Sequence, residues 1–331
     1  MKKIDFENHF YDQSFIDALS KRQQPPCYDP TSKVLTWSEG ITMPQDILLP
    51  QLLEVAEKRS KLLKEQGIDM AVLSSSPGIE QLDVEESISL CQKANDALAE
   101  IIKKYPAQYF GSAVLPVKDP VAACHELERC VENYGFVCWH THSNYGATSP
   151  DNEVYRPIFR KAVELGVYVY LHPQLPNGGR TDGYGFTVAG PGLGFTLDTM
   201  ITITKMIVSG LFDELPDLKV VLGHLGEGIP FLLERMNNRL KFLPNPQIKC
   251  KEEASYYFKN NIMVTTSGNM CKEAFACTKN VLGIDNILFG SDYPYESLPD
   301  MMEFLANVPL TDVEKEKLYY KNAIDKLGIR I

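Results

Sequence analysis

Residues 4–10, Ile4-Asp5-Phe6-Glu7-Asn8-His9-Phe10, have the apolar pattern of a short buried strand and contain a Glu-x-His pair. Side chains alternate between the two faces of a strand, so Glu7 and His9 are predicted to point the same way. A carboxylate and an imidazole placed together at the end of a strand can bind one divalent ion. A single Glu-x-His pair also occurs by chance in many chains, so its meaning depends on the residues that follow.

Composition restricts the class of protein and its partners. The chain has 331 residues, of which 44% are hydrophobic and 23% charged, as in globular proteins. The net charge of −10 argues against binding to nucleic acid or to an anionic membrane surface, and no apolar run is long enough to span a bilayer. Eight cysteines occur without any C-x-x-C pair, which favours reduced thiols in a cytoplasmic protein.

Strand-like and amphipathic helical segments alternate along the whole chain. The eight strand candidates are Lys2–Phe10, Asp69–Ser75, Tyr109–Pro116, Phe136–His142, Val167–Pro173, Lys219–Leu225, Ile262–Ser267 and Asn286–Tyr293. Eight βα units predict an α/β fold, a (β/α)8 TIM barrel that forms one domain over residues 1–331. The alternative is a doubly wound open sheet, but no Gly-x-Gly-x-x-Gly follows the first strand.

Two long segments do not fit the minimal repeat. Residues 20–45 follow the first strand, and the glycine-rich residues 177–194 follow the fifth. Loops that follow barrel strands lie over the C-terminal mouth, so both are predicted to form a lid or a substrate wall.

Residues of the types that bind metals recur at the predicted strand ends, where TIM barrels carry their active sites. Five of the six histidines lie there: His9, His140, His142, His172 and His224. Any one of them alone is more simply explained as a hydrogen-bonded core residue. Five together are hard to explain in that way, because buried polar groups without partners are costly. Four ligands, Glu7, His9, His172 and Asp292, are predicted to bind one divalent ion, Zn²⁺ or Mn²⁺.

Six motifs together resemble the amidohydrolase superfamily, in its amidohydrolase 2 branch. They are Glu7-x-His9, Leu73-Ser74-Ser75-Ser76-Pro77-Gly78, Tyr170-Leu171-His172-Pro173, Gly223-His224-Leu225-Gly226-Glu227, Thr265-Thr266-Ser267-Gly268-Asn269 and Gly290-Ser291-Asp292-Tyr293-Pro294-Tyr295-Glu296. The first motif is most similar to that of the γ-resorcylate and dihydroxybenzoate decarboxylases, because the wider superfamily carries His-x-His there. The fourth strand has His140 and His142 but no bridging lysine, which favours a single metal and departs from the hydroxybenzoate enzymes.

The resemblance implies a non-oxidative decarboxylase of a hydroxybenzoate-type acid. The substrate would bind the metal through its carboxylate and the adjacent phenolate oxygen. Asp292 would then protonate the ring carbon that bears the carboxylate, which avoids an aryl anion. In the His-x-x-Glu motif, His224 would influence the protonation of Asp292, and Glu227 would orient the ring of His224. Alternatively, Glu227 is only an acidic residue at the start of a helix.

The resemblance also implies, less directly, further substrate contacts and an oligomeric state. Arg235 is expected to bind substrate, although as a helix residue it equally fits a surface ion pair. His142 and Ser75, and less so His140, are candidate substrate contacts. The two histidines alternate with Thr141, so both face the barrel interior or both face the helices. By analogy the chain is expected to form a homodimer or a homotetramer.

Two other functions remain open from the sequence. A hydrolase of a lactone or cyclic amide would use the same four ligands to activate water, with Asp292 as the base. A non-catalytic metabolite-binding barrel is the third possibility. A hydrolase should have an open, wet mouth, whereas Tyr184, Phe186 and Phe195 in the loop segments favour a closed, aromatic-lined decarboxylase site.

Overall fold

Eight parallel strands form the centre of the computed structural model, which describes residues 1–178, 182–242 and 244–330. Neighbouring strands follow the order of the sequence: β1 (Ile4–Phe10), β5 (Met70–Ser75), β6 (Tyr109–Ala113), β7 (Cys138–His142), β8 (Tyr168–His172), β9 (Val220–Leu222), β10 (Ile262–Thr265) and β11 (Ile287–Leu288). The predicted (β/α)8 barrel is therefore confirmed.

The first and last strands approach each other and bring the edges of the sheet together. The amide of Phe6 donates to the carbonyl of Phe289 at 2.9 Å, and the amide of Asp292 donates to the carbonyl of Glu7 at 2.9 Å. The segment after β11 thus runs beside β1, which places Asp292 next to the Glu-x-His pair.

Helices connect the strands and cover the outside of the barrel. They are α1 (Gln13–Ser20), α2 (Leu48–Leu53), α3 (Glu57–Glu65), α4 (Val84–Lys104), α5 (Pro120–Tyr134), α6 (Arg156–Leu165), α7 (Gly185–Thr187), α8 (Gly194–Val208), α9 (Leu211–Glu214), α10 (Ile229–Leu240), α11 (Ala254–Asn260), α12 (Lys272–Leu282), α13 (Leu298–Ala306), α14 (Asp312–Glu316) and α15 (Asn322–Leu327). No helix among the described residues is both long and apolar enough to cross a membrane. All eight cysteines are free thiols.

The barrel interior has two layers. The lower layer is apolar and includes Phe6, Val72, Tyr168, Val221 and Leu288. Above it, at the C-terminal ends of the strands, the interior becomes polar. The apolar layer fills the barrel below the polar groups, and a cavity opens above them at the mouth.

A register shift in β1 directs its polar side chains into this upper layer. Asp5 pairs with Ala71, but Asn8 pairs with Leu73, so β1 has one extra residue between the two pairs. Such a bulge interrupts the simple alternation of faces. Phe6 therefore joins the lower layer, while Glu7 and His9 reach the cluster above it.

The long segment after β1 contains a second, antiparallel sheet that the sequence did not predict. Its strands are β2 (Cys27–Asp29), β3 (Val34–Ser38) and β4 (Ile41–Pro44). Leu35, Trp37 and Met43 from this sheet line a cavity at the barrel mouth. The segment thus forms part of the wall of this cavity, at the barrel mouth where a loop after a strand was predicted to lie.

Candidate metal centre and active-site cavity

The four predicted metal ligands lie together at the barrel mouth. Glu7, His9, His172 and Asp292 are all buried, and each offers a ligand atom within 4.8 Å of the others. Nε2 of His9 lies 3.2 Å from Oδ1 of Asp292 and 3.7 Å from Oε1 of Glu7. Nε2 of His172 lies 3.6 Å from the same Glu7 oxygen.

The unpaired atoms of this cluster fit a divalent ion. Oε1 of Glu7, Nε2 of His9 and Oδ1 of Asp292 are buried and have no hydrogen-bond partner within the described structure. Each such atom costs about 1–3 kcal/mol when it is left unsatisfied. One cation would satisfy all three, and a mixed nitrogen and oxygen set suits Mn²⁺ or Zn²⁺.

Glu7 is held so that only one of its oxygens is free. Oε2 accepts hydrogen bonds from the hydroxyl of Tyr170 and from Oγ1 of Thr265, the latter at 3.0 Å. Oε1 therefore remains for a metal. Sequence reasoning missed Tyr170, although it lies two residues before His172 and so shares its face of β8.

His172 is prepared as a ligand by its other ring nitrogen. Nδ1 lies 2.8 Å from the carbonyl oxygen of Pro173, so it is the nitrogen that carries the proton and Nε2 presents its lone pair. Burial, with the neighbouring charge of His9, lowers the pKa of His172 well below its usual value. A neutral imidazole is the form that binds a metal.

Asp292 is placed by an uncommon backbone conformation, with φ of 63°. Aspartate tolerates this left-handed region better than most residues. The amide of Tyr295 donates to the Asp292 carbonyl at 2.8 Å. Burial raises the pKa of the Asp292 carboxyl, but the nearby imidazoles of His224 and His9 outweigh burial and hold that pKa at about 2.

His9 makes metal binding depend on pH. Burial lowers its pKa, but Asp292 and Glu7 outweigh burial and raise it to about 9 in the metal-free protein. Below that pH an arriving metal must displace the His9 proton, whereas Asp292, with a pKa of about 2, is already ionised. Apparent affinity for Mn²⁺ is therefore expected to fall about tenfold per pH unit as pH decreases from 8 to 6. Calorimetric titration of metal-free protein in buffers of different ionisation enthalpy measures the released proton; constant affinity without proton release would contradict this.

His224 and Glu227 form a hydrogen-bonded pair beside the metal ligands. Nδ1 of His224 lies 2.5 Å from Oε1 of Glu227, and Oγ1 of Thr196 donates to the other Glu227 oxygen at 2.8 Å. Nε2 of His224 lies 3.6 Å from Oδ2 of Asp292. Burial lowers the pKa of His224, but Glu227 and Asp292 outweigh burial and raise it well above its usual value.

The backbone around this pair lets the segment at His224 pack closely against the segment at Gly268. His224 and Glu227 have φ of 52° and 57°, and the amide of His224 donates to Oγ of Ser267 at 3.1 Å. Gly268 has φ of 61°, and a Cβ there would overlap the His224 ring. The motifs around residues 224 and 268 therefore fit against each other.

A cavity of about 530 Å³ opens above the cluster. Both long segments contribute to its wall, as predicted for loops at the barrel mouth. Its lining residues are Tyr11, Leu35, Trp37, Met43, Gln45, Pro77, His172, Gln174, Leu175, Phe186, Pro191, Phe195, Thr196, His224, Glu227, Gly228, Gly268, Asn269, Asp292, Tyr295 and Glu296. Residues 179–181 of the second segment lie outside the described residues. The expectation for Tyr184 was wrong, since it is 80% exposed and absent from this lining.

The two histidines of β7 face the barrel interior. The ring of His140 lies 5.7 Å from that of His9, and Trp139 packs outward against Phe159 at 5.0 Å between centroids. Nδ1 of His142 lies 2.6 Å from Oε1 of Glu80, and both side chains are buried. His142 does not line the cavity among the described residues, and no sequence pattern indicated Glu80 as its partner.

Arg235 and Ser75 are not brought to the cavity. Arg235 is exposed on α10 and is absent from the described cavity lining. Ser75 is buried, and its hydroxyl donates only to the carbonyl of Ser76 at 3.3 Å. The substrate-binding roles of both residues stay predictions without a contact in this cavity.

The fold and the site define a barrel enzyme that works with one divalent metal ion. Residues 4–329 match the family model for amidohydrolases, and the chain belongs to that family. A γ-resorcylate decarboxylase of Rhizobium sp. (strain MTP-10005) is 34% identical over 286 residues, which cover 82% of this chain and 87% of the relative. The γ-resorcylate decarboxylase of Polaromonas sp. (strain JS666) is 33% identical over 307 residues, covering 88% and 94%.

A solved structure extends the similarity to three dimensions. The dihydroxybenzoic acid decarboxylase of Polaromonas sp. JS666, with bound manganese and the inhibitor 2-nitroresorcinol, superposes with a TM-score of 0.84. The two chains are 30% identical, and the match covers 99% of this chain and 97% of that chain.

Proposed function

We propose that this enzyme is a metal-dependent, non-oxidative decarboxylase of a hydroxybenzoate-type acid. One observation carries the proposal: an unsatisfied Glu, His and Asp cluster lies at the base of an aromatic-lined cavity, and Asp292 belongs to both. The manganese and the aromatic inhibitor of the similar Polaromonas enzyme support the same reaction class. Mn²⁺ or Zn²⁺ fits the ligand set of this chain.

Glu7, His9, His172 and Asp292 would hold the metal, which when bound polarises the substrate's oxygen atoms and offsets the loss of aromaticity. His224 is the proposed proton source, because its raised pKa keeps it protonated and its Nε2 lies 3.6 Å from Asp292. Asp292 delivers that proton to the ring carbon bearing the carboxylate. The carbon–carbon bond then breaks, its electrons restore the aromatic ring and CO₂ leaves.

The chain's apolar residues favour this reaction over hydrolysis. Trp37, Phe186 and Phe195 wall the cavity, and the rings of Phe186 and Phe195 meet edge to face at 5.9 Å. Such walls pack against a flat ring and exclude water, which strengthens the electrostatic contacts at the reacting carbon. A hydrolase would instead need water beside Asp292.

Glu227 is proposed to orient His224 and to stabilise its protonated form. Glu227→Gln keeps a hydrogen-bond acceptor but removes the negative charge, so kcat is expected to fall about 10- to 100-fold with little change in KM. The pH profile should shift as well, because the pKa of His224 loses the support of Glu227. The exposed Glu234→Gln on α10 is the matched control. An unchanged rate and pH profile would leave Glu227 as a helix-start residue only.

Turnover of a small panel tests the reaction class. Metal-loaded protein is given 2,6-dihydroxybenzoate, 2,3-dihydroxybenzoate and an aryl lactone, with Mn²⁺ and Zn²⁺ tried separately. Loss of benzoate absorbance with CO₂ release is the expected result. Lactone opening without CO₂ release would instead support the hydrolase.

We also propose that His142, Ser75 and Arg235 contact the substrate and that the chain forms a homodimer or a homotetramer. The proposed location is cytoplasmic, and the chain is proposed to form a single domain over residues 1–331. The free thiols and the negative net charge are consistent with the proposed location.

A further inference from the structure

Thr196 holds one carboxylate oxygen of Glu227 from a distant part of the chain. It lies in the first turn of α8 and lines the cavity, and its Oγ1 donates to Oε2 of Glu227 at 2.8 Å. The two residues lie in the connections before and after β9. Their hydrogen bond therefore joins α8 to the turn that carries His224.

The side chain of Glu227 makes two hydrogen bonds to described residues. Its Oε1 lies 2.5 Å from Nδ1 of His224, and its Oε2 accepts from Thr196. Glu227 is only 1% exposed, so water has little access to its carboxylate. Without the Thr196 hydroxyl, Oε2 would be a buried, charged acceptor that lacks a partner, which is costly. The hydroxyl thus restrains the carboxylate that faces His224.

Other threonines of α8 use their hydroxyls differently. Oγ1 of Thr199 donates to the carbonyl of Phe195 at 2.9 Å, and Oγ1 of Thr204 donates to the carbonyl of Met200 at 2.7 Å. Such bonds to the preceding turn are common for threonines in helices. The hydroxyl of Thr196 instead crosses to a buried carboxylate in another βα unit, beside the cavity.

We propose that Thr196 is a positioning residue, which fixes the Glu227 carboxylate and through it the ring of His224. This inference rests on the proposed function, in which His224 supplies the proton that Asp292 delivers. Nε2 of His224 lies 3.6 Å from Oδ2 of Asp292, and proton transfer over that distance depends on the orientation of the ring. A loosened Glu227 slows the proton step and leaves binding of the substrate ring nearly unchanged.

Steady-state kinetics of metal-loaded Thr196→Val tests this role. Valine has nearly the same shape without the hydroxyl, so kcat for decarboxylation is expected to fall about tenfold or more with little change in KM, as for a lost hydrogen bond to a charged group. Thr196→Ser keeps the hydroxyl and should retain most of the wild-type kcat. Thr204→Val is the matched control, because it removes a hydroxyl that bonds within α8, and it should behave as the wild type. A raised KM with unchanged kcat in Thr196→Val would make Thr196 a substrate contact and overturn the proposal.

A double substitution shows whether Thr196 acts through Glu227. Thr196→Val should cause no further loss of kcat when it is added to Glu227→Ala, because the carboxylate that it positions is already absent. Equal losses with and without Glu227 would mean that the two residues act independently, and would overturn the proposal.

Proton NMR of Zn²⁺-loaded protein gives a readout that needs no turnover. The short hydrogen bond between His224 and Glu227 is expected to give a signal far downfield of the amide protons, identified by its absence from Glu227→Ala. This signal should shift or broaden in Thr196→Val, and Thr196→Ala serves the same tests if the valine variant does not fold. An unchanged signal would overturn this inference and leave the proposed function intact. Wild-type protein that decarboxylates no substrate would overturn the proposed function itself, while the signal still shows whether Thr196 holds the pair.

Discussion

Replacing Asp292 with Asn is expected to lower kcat for decarboxylation by at least ~10³-fold, because positioned proton transfer contributes about 10²–10⁴-fold and a ligand is weakened as well. Asp292 lines the cavity, faces His9 at 3.2 Å and lies 3.6 Å from His224. No other described carboxylate combines all three contacts. An amide has nearly the same shape but cannot pass on a proton.

The effect of losing metal is distinguished from the effect of losing the proton donor by measuring metal content and activity on the same protein. Activity of Asp292→Asn is assayed at Mn²⁺ concentrations that restore wild-type metal content, checked by atomic emission. Glu296→Gln is the matched control, because Glu296 is a neighbouring carboxylate in the cavity wall but is not one of the four metal ligands. A metal-filled Asp292→Asn protein with nearly normal kcat would remove Asp292 from the proton-transfer role.

Replacing His172 with Ala is expected to empty the metal site. Loss of a hydrogen-bonded neighbour of a ligand typically weakens metal binding about 10- to 100-fold, so loss of the ligand itself should exceed that. The substitution also leaves Oε1 of Glu7 without its neighbour at 3.6 Å. Metal per chain after dialysis, measured by atomic emission, should fall close to zero, and activity should fall with it.

The control for this substitution is His125→Ala, which removes an exposed imidazole from α5. It should keep both metal content and activity. Thermal unfolding of both variants, compared as metal-free proteins, shows whether the fold survives. A folded His172→Ala protein that retains wild-type metal stoichiometry would exclude His172 from the ligand set.

The barrel could be predicted because the spacing of apolar residues and the positions of the metal-type residues both indicate the same fold. Buried strands alternate with amphipathic helices, and the glycines after α5 and α6, Gly135 and Gly166, adopt φ of 68° where those helices end. Metal-type residues at separate strand ends are brought together by the barrel itself, so Glu7, His172 and Asp292 meet as predicted.

Other features depended on contacts between distant segments. The register shift in β1 changes which residues face inward, and the sequence of one strand does not reveal it. The β2–β4 sheet is short and lies in a stretch whose prolines favoured a loop. The amphipathic stretch from residue 48 to residue 65 forms two helices rather than one, because the Glu54 carboxylate accepts the amides of Lys58 and Arg59 and begins α3.

Partners of the site residues were the hardest to predict. Glu80 reaches His142 from a different βα unit, and no spacing rule links them. Arg59 was also missed: its guanidinium donates to the carbonyl of His9 at 2.7 Å and lies over the Tyr293 ring. It supports β1 and the Asp292 segment from outside the site.

The most direct test of the proposed reaction is product analysis after turnover of 2,6-dihydroxybenzoate in D₂O by Mn²⁺-loaded protein. Ring protonation by Asp292 predicts one CO₂ per substrate and 1,3-dihydroxybenzene carrying a single deuterium at the former carboxylate position. The metal-free protein should give neither product. Substrate that stays intact in fully metal-loaded, folded protein, while a lactone is opened, would contradict the decarboxylase account.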